Sequence, residues 1–222
     1  MTDRGDARPR LYGRSKGRPL RAHQQKLMEE LYPAISADSQ PDLSGFEEIW
    51  MEIGFGGAEH LLHLARNHPE NGIIGAEPFL NGVARAVGGV EEFDLKNLFL
   101  HHGDARDVMD SLSDSVLSRL YILFPDPWPK TRHKKRRIIN EAFLDDVCRV
   151  LKPGGTLFFA SDITDYVEWT VTRLKKNGRF ALEYDGPSDW RNPYSGWPGT
   201  RYEAKAIKAG RPCHYLRFKH AA

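Results

Sequence analysis

From residue 47 onward the chain alternates two spacings of apolar residues. Segments EIWMEIG (48–54), NGIIGAEP (71–78), LFLHHGD (98–104), RLYILFPD (119–126) and TLFFASD (156–162) are short, largely Ile, Leu and aromatic, and end at Gly, Pro or Asp. That combination predicts buried strands. Between them AEHLLHLARNHP (58–69), FLNGVARAVGGVEEF (79–93), a short stretch near 106–112, IINEAFLDDVCRVL (138–151) and YVEWTVTRLKKNG (166–178) space their apolar residues for one buried helix face. RFALEYD (179–185) and HYLRFKH (214–220) bring the strands to seven. Pro153-Gly154-Gly155 predicts a stop and turn before the fifth strand.

Strands alternating with helices predict an α/β fold, doubly wound around a mostly parallel seven-stranded sheet. A long Pro- and Gly-rich loop with no clear helix separates the last two strands, which predicts an antiparallel edge strand. Ahead of this regular text, residues 1–40 read as a basic, mobile arm with one short helix from about Arg21 to Leu31, ended by Pro33; residues 41–222 read as the main domain. Its length of 222 residues suits one domain with an appendage. No apolar run approaches the roughly 20 residues of a membrane span, and the first residues are too polar for a secretory signal, so the expected setting is cytoplasmic, without membrane contact.

Net charge is only +2, but the first 26 residues hold eight Lys or Arg against Asp3 and Asp6, and a second basic run occupies 130–137. The two cysteines, Cys148 and Cys213, have neither CxxC nor metal-ligand spacing and read as reduced packing residues. Among nine histidines, including His60, His63 and the pair His101-His102, there is no convincing ligand set, so no metal is expected.

In doubly wound sheets ligands sit beyond the carboxyl ends of the strands. Glu77, Asp104, Asp126 and Asp162 each fall at such an end, with Glu52 inside the end of the first strand. The first strand runs into EIGFGGA, where Gly54, Gly56 and Gly57 permit a tight turn and close approach of backbone to a ligand; a plain strand-to-helix turn is the simpler reading. No Gly-Lys-Ser/Thr follows, which excludes a P-loop. A carboxylate at Glu77 suits the two hydroxyls of a ribose, and one at Asp104 suits an adenine amino group. Either acid alone equally well caps the next helix. Glu52 is placed to hold an ammonium or sulfonium-bearing group, and the set together describes S-adenosylmethionine better than NAD.

The stretch FPDPWPKTRHKKRR (124–137) fixes Asp126 between Pro125 and Pro127, follows it with Trp128, and continues into a basic run. Lys130 and Arg132 to Arg137 read either as a solvated face or as a grip on nucleic-acid phosphates. Further on, Thr200, Arg201, Tyr202 and Glu203 offer donors and acceptors for a base, although Thr200 and Glu203 also have the spacing of an ordinary helix capping box.

From GRPLRAHQ in the arm to the terminal YLRF, with FPDPWPKTRHKKRR and GTRYEAKAIKAG as the most specific stretches, the chain resembles the bacterial tRNA (guanine-N7)-methyltransferases, Rossmann-like class I enzymes dependent on S-adenosylmethionine. The resemblance implies methylation of N7 of guanine at position 46 in the variable loop of tRNA. It implies cofactor binding by Glu52, Gly54, Glu77, Asp104, Ala105 and Asp126, with Asp126 the catalytic position. It implies substrate contacts at Lys130, Asp162, Thr200, Arg201, Tyr202 and Glu203, and an RNA-binding stretch at Arg132, His133, Lys134, Lys135, Arg136 and Arg137. The family often has a third glycine where this chain has Ala58. Competing readings are a class I methyltransferase with another substrate and a non-catalytic RNA-binding protein. Oligomeric state stays open between monomer and homodimer.

Overall fold

The computed structural model describes residues 12, 13, 15, 17–39, 41–186 and 189–221. Its seven strands are β1 (Ile49–Ile53), β2 (Gly72–Ala76), β3 (Leu98–His101), β4 (Leu117–Leu123), β5 (Leu151–Ser161), β6 (Phe180–Glu183) and β7 (His214–His220), in the sheet order β3-β2-β1-β4-β5-β7-β6. The first five are parallel, while β7 runs antiparallel to both β5 and β6. The expected antiparallel strand is therefore present, one place in from the edge. The chain order reverses between β1 and β4, so their carboxyl ends diverge and open a crevice.

The helices are α1 (Ala22–Glu30), α2 (Glu59–Asn67), α3 (Leu80–Phe93), α4 (Ala105–Ser111), α5 (Glu141–Val150), α6 (Thr164–Asn177) and α7 (Arg201–Lys208). Both faces of the sheet are covered, and the two-residue period of each strand divides the core accordingly. On β1, Trp50 points to one apolar cluster with Leu61, Val83 and Tyr121, and Met51 and Ile53 to the other with Ile122, Phe143 and Phe159. Trp50, Tyr121, Phe143 and Phe159 are each no more than 2% exposed, and such burial stabilises by roughly 1.5–3 kcal/mol per large side chain.

Three elements differ from the expectation. Helix α5 starts at Glu141 and not at Ile138, because the Asn140 side chain accepts the Phe143 N–H and caps the helix there. Pro153-Gly154-Gly155 does not end in a turn before the strand: β5 already begins at Leu151, which pairs with Leu117, and the register shift in this pairing absorbs the three residues. The loop before the last strand contains α7, started by the Thr200–Glu203 capping box. Packing also crosses the expected boundary at residue 40. Leu27 on α1 is buried in the core, His23 bonds Glu91 on α3 at 2.9 Å, and Ser36 bridges to Leu100. Residues 1–11 of the expected arm lie outside the described residues.

Replacing the α5 cap, Asn140→Ala, is expected to cost about 1 kcal/mol, seen as a lower urea midpoint with an unchanged slope.

Candidate active site

A cavity of ≈ 320 Å³ opens beyond the carboxyl ends of β1, β2, β3 and β4, with Gly54, Glu77, Asp104, Ala105 and Asp126 in its wall. Gly54 (φ +73°) and Gly56 (φ +53°) adopt the left-handed conformation, and no atom stands within 4 Å of where a Gly54 side chain would begin. The turn thus exposes bare backbone to the cavity. Ala58 takes the same conformation (φ +64°) at the N-cap of α2, which costs an alanine roughly 1–2 kcal/mol and accounts for glycine being the easier residue there.

Glu77, at the end of β2, is 6% exposed. One carboxylate oxygen accepts the Gly56 N–H at 2.7 Å and the other the Phe79 N–H at 2.8 Å, so the acid ties the glycine turn to the residue that precedes α3. Burial pushes its carboxyl above the usual range, the two amides oppose this, and Asp126 and Glu52 add to the rise. Asp104 caps α4 by accepting the Arg106 N–H at 3.1 Å and is paired with the Arg106 guanidinium, so helix capping holds at this position together with its place in the wall.

Asp126 stands where backbone strain concentrates. Phe124 (φ +50°) and Trp128 (φ +41°), each followed by proline, hold left-handed conformations on either side of it. Non-glycine residues in that region cost of order 1–3 kcal/mol each. The strain turns the chain sharply off β4 and sets the carboxylate at the cavity mouth, still exposed to solvent, where partial desolvation shifts its pKa upward. Glu77, Asp126 and the bare glycine turn give one wall of the cavity acceptors for hydroxyl and ammonium groups, while Arg106, Lys135, Arg136 and Arg137 line the rest. S-adenosylmethionine has that chemistry, and Gly54, Glu77, Asp104, Ala105 and Asp126 fit it.

Glu52 departs from the expectation. It shares a strand face with Trp50, while Ile53 faces the cavity, so the Glu52 carboxylate lies on the α2 side and bonds His60 Nδ1 at 2.7 Å. Its carboxylate stands behind the glycine turn, outside the cavity wall, and adds to the negative field at Glu77.

The basic run divides by the period of its own helix. Thr131–Arg136 is 3₁₀, where residues three apart eclipse. Lys134 and Arg137 therefore reach the same acid, Asp165, each at 2.5 Å, and this pairing pulls the Asp165 carboxyl below its usual range, Lys134 foremost. Arg137 is 1% exposed, donates also to the Pro127 carbonyl at 2.9 Å, and stacks on Tyr166 and Trp169. It is a buried brace behind the Asp126 turn, and its expected contact with RNA is corrected. His133 and Arg136 form the second row, both against Trp128, with Arg136 also 4.6 Å above Tyr12. Partial desolvation and then the charges of Arg136, Arg132 and Lys130 hold His133 below the usual histidine value. Arg132 and Lys135 form the third row, and these two, with Lys130, face solvent.

The substrate segment is also only partly as expected. Thr200 and Glu203 are occupied in the capping box, and Glu203 further accepts from Trp197 Nε1 and Tyr215 Oη, so neither side chain is directed at a base in this state. Arg201 pairs with Glu59, and Asp162 accepts from Arg211 at 2.6 Å. Tyr202, read as a substrate contact, lies against Gly56 and lines the cofactor-sized cavity. Tyr12 and Gly13 line it too, with Gly13 beside Asp126; nothing in the local sequence of the arm marks them. Among the described residues there is no group of three or more candidate metal ligands and no helix long and apolar enough to cross a membrane. Cys148 and Cys213 are free thiols, with burial pushing Cys148 to about 11.

Residues 47–216 match a family described as putative methyltransferase. A tRNA (guanine-N(7)-)-methyltransferase of Roseobacter denitrificans is 46% identical, covering 94% of this chain and 94% of its own length. One from Ruegeria sp. is 43% identical over 94% of this chain and 87% of its own. Among solved structures, the 16S rRNA methyltransferase KamB superposes with a TM-score of 0.55 at 15% identity, covering 81% of this chain and 91% of its own. A precorrin-6y C5,15-methyltransferase from Geobacter metallireducens also gives 0.55, at 17% identity and 84% and 85% coverage. These two structures share the fold.

Because Asp126 has a raised pKa in the folded chain, its ionisation opposes folding, so stability contributed at low pH is lost as pH rises through that value. Asp126→Asn is therefore expected to raise the thermal midpoint of the unliganded protein at neutral pH, with the gain shrinking to nothing below the ordinary aspartate range.

Proposed function

The chain belongs to the tRNA (guanine-N(7)-)-methyltransferase family, and from that premise we propose how its residues divide the methylation of guanine N7 in tRNA among themselves. S-adenosylmethionine, the cofactor, supplies an electrophilic methyl group when bound. Glu77 takes the ribose hydroxyls with the lone pairs its two backbone bonds leave over, the Gly54 turn gives backbone contact, and Asp104 with Ala105 borders the adenine.

Guanine N7 carries an in-plane lone pair, so its attack releases no proton and requires no general base. What the protein contributes is alignment and charge. Asp126, held by the strained turn at the cavity mouth, orients the guanine edge and stabilises the positive charge that appears on the purine. The observation that carries this reading is the joint placement of Glu77 and Asp126, both with raised pKa, around the bare glycine turn. The guanine is the one at position 46 of the variable loop, and the cytoplasm is the setting that suits this substrate. Lys130, Arg132 and Lys135 contact tRNA phosphates.

Transfer of labelled methyl to unmodified tRNA, followed by chain cleavage at 7-methylguanosine, tests the site; cleavage elsewhere than position 46 would refute it. Asp126→Ala should lower turnover by at least about a hundredfold while leaving tRNA binding within about twofold. In the wild type, kcat/KM should fall on acidification at a higher pH than an ordinary aspartate would give, since the ionised form is needed and its pKa is raised. Arg132→Ala combined with Lys135→Ala should reduce the slope of log affinity against log salt by roughly 1.5, the counterion release of two phosphate contacts.

A further inference from the structure

Asp104 and Arg106 stand two residues apart at the start of α4, and both line the large cavity. Their side chains are 20% and 16% exposed. Arg106 Nε donates to Oδ1 of Asp104 at 3.0 Å and to Oδ2 at 3.1 Å, and a terminal nitrogen of the same guanidinium donates to Oδ2 at 2.5 Å. The Arg106 backbone N–H also donates to Oδ1, at 3.1 Å, which is the helix cap. One residue thus holds the carboxylate twice, by its backbone and by its side chain.

A cap needs only the backbone bond. The guanidinium is an addition, and its planar fork keeps its donors in fixed directions, so both oxygens of Asp104 are locked against rotation. The bonds to Asp104 do most to raise the pKa of Arg106; burial opposes the rise, and the charges of Asp104, Asp107 and Asp146 add to it. Asp146 belongs to α5, so the field that steadies the fork reaches it from the neighbouring helix as well.

Asp104 borders the adenine in the reading given above. An ionised carboxylate only accepts. Adenine presents it with an amino group at ring carbon 6, whereas hypoxanthine presents an oxygen, which the carboxylate repels. How sharply a site tells the two apart depends on how firmly its acceptor is directed. We propose that Arg106 is a positioning residue for the base end of the cofactor site: its guanidinium sets the direction in which Asp104 offers its oxygens, so that the site selects a 6-amino purine over a 6-oxo one. The proposal rests on the S-adenosylmethionine reading of the cavity. It gives Arg106 no contact with the reacting atoms.

Arg106→Met keeps the length, the helix propensity and the backbone N–H that caps α4, and removes only the fork. By calorimetry, the wild-type protein should bind S-adenosylhomocysteine at least about a hundredfold more tightly than S-inosylhomocysteine, the scale expected where a charged acceptor meets no donor. In Arg106→Met the adenine ligand should lose about tenfold in affinity and the inosine ligand less than about twofold, so the ratio falls by roughly a factor of ten. Arg106→Lys keeps the charge without the fork and should resemble Arg106→Met. With Asp104→Asn already in place, Arg106→Met should alter the ratio by less than about twofold. Should Arg106→Met fail to fold, Arg106→Lys decides alone. The proposal is overturned by an unchanged ratio in Arg106→Met, by wild-type discrimination in Arg106→Lys, or by an equal loss of both ligands, which is the mark of a merely structural role. A wild-type protein that binds neither ligand would overturn the cofactor reading instead.

Discussion

The carboxylate of Glu77 accepts one N–H from the glycine turn and one from the start of α3, at 2.7 and 2.8 Å. Those two bonds join the ends of β1 and β2 into one rigid rim, and the other walls of the cavity are placed relative to it. They also settle a conflict. A buried carboxylate is costly unless hydrogen-bonded, and the two amides lower that cost without neutralising the charge. The acid thus remains an acceptor for ligand hydroxyls.

Asp126 is held by different means. Left-handed Phe124 and Trp128, each locked by a following proline, swing the chain off β4, and the buried Arg137 braces the turn from behind through the Pro127 carbonyl. Backbone strain of this kind persists only where the surroundings over-determine it. Here the surroundings are a guanidinium bonded on one side to Asp165 and stacked on Tyr166 and Trp169. The last arginine of the basic run is thus committed to holding the Asp126 turn.

The same economy appears in the loop before α7. Residues suited to a base edge, Thr200 and Glu203, form the helix cap, and Trp197 and Tyr215 complete the acceptor set of Glu203. Any direct contact of these two side chains with tRNA requires the cap to be shared or opened. From the first turn of α2, His60 bonds Tyr194 in this loop and Glu59 pairs with Arg201 at the start of α7, which links the loop and α7 to the glycine turn.

Much of this protein could be read from its sequence. Alternating strand and helix periods determined the parallel α/β sheet, the strand-end acids determined the rim at Glu77, Asp104 and Asp126, and the Pro-Asp-Pro text marked the strained turn. These are local properties, set by side-chain period and by backbone restriction at Pro and Gly. Which face a residue takes and which partner it meets were decided only by tertiary structure. One residue of strand register sends the Glu52 carboxylate to His60 on the α2 side of the sheet. The three-residue period of a 3₁₀ helix, unrecognisable in a run of six basic letters, buries Arg137 against Asp165 and leaves Arg132 and Lys135 to the solvent. Tyr12 enters the cavity from the arm because the chain folds back on itself, and no spacing within the arm encodes that return.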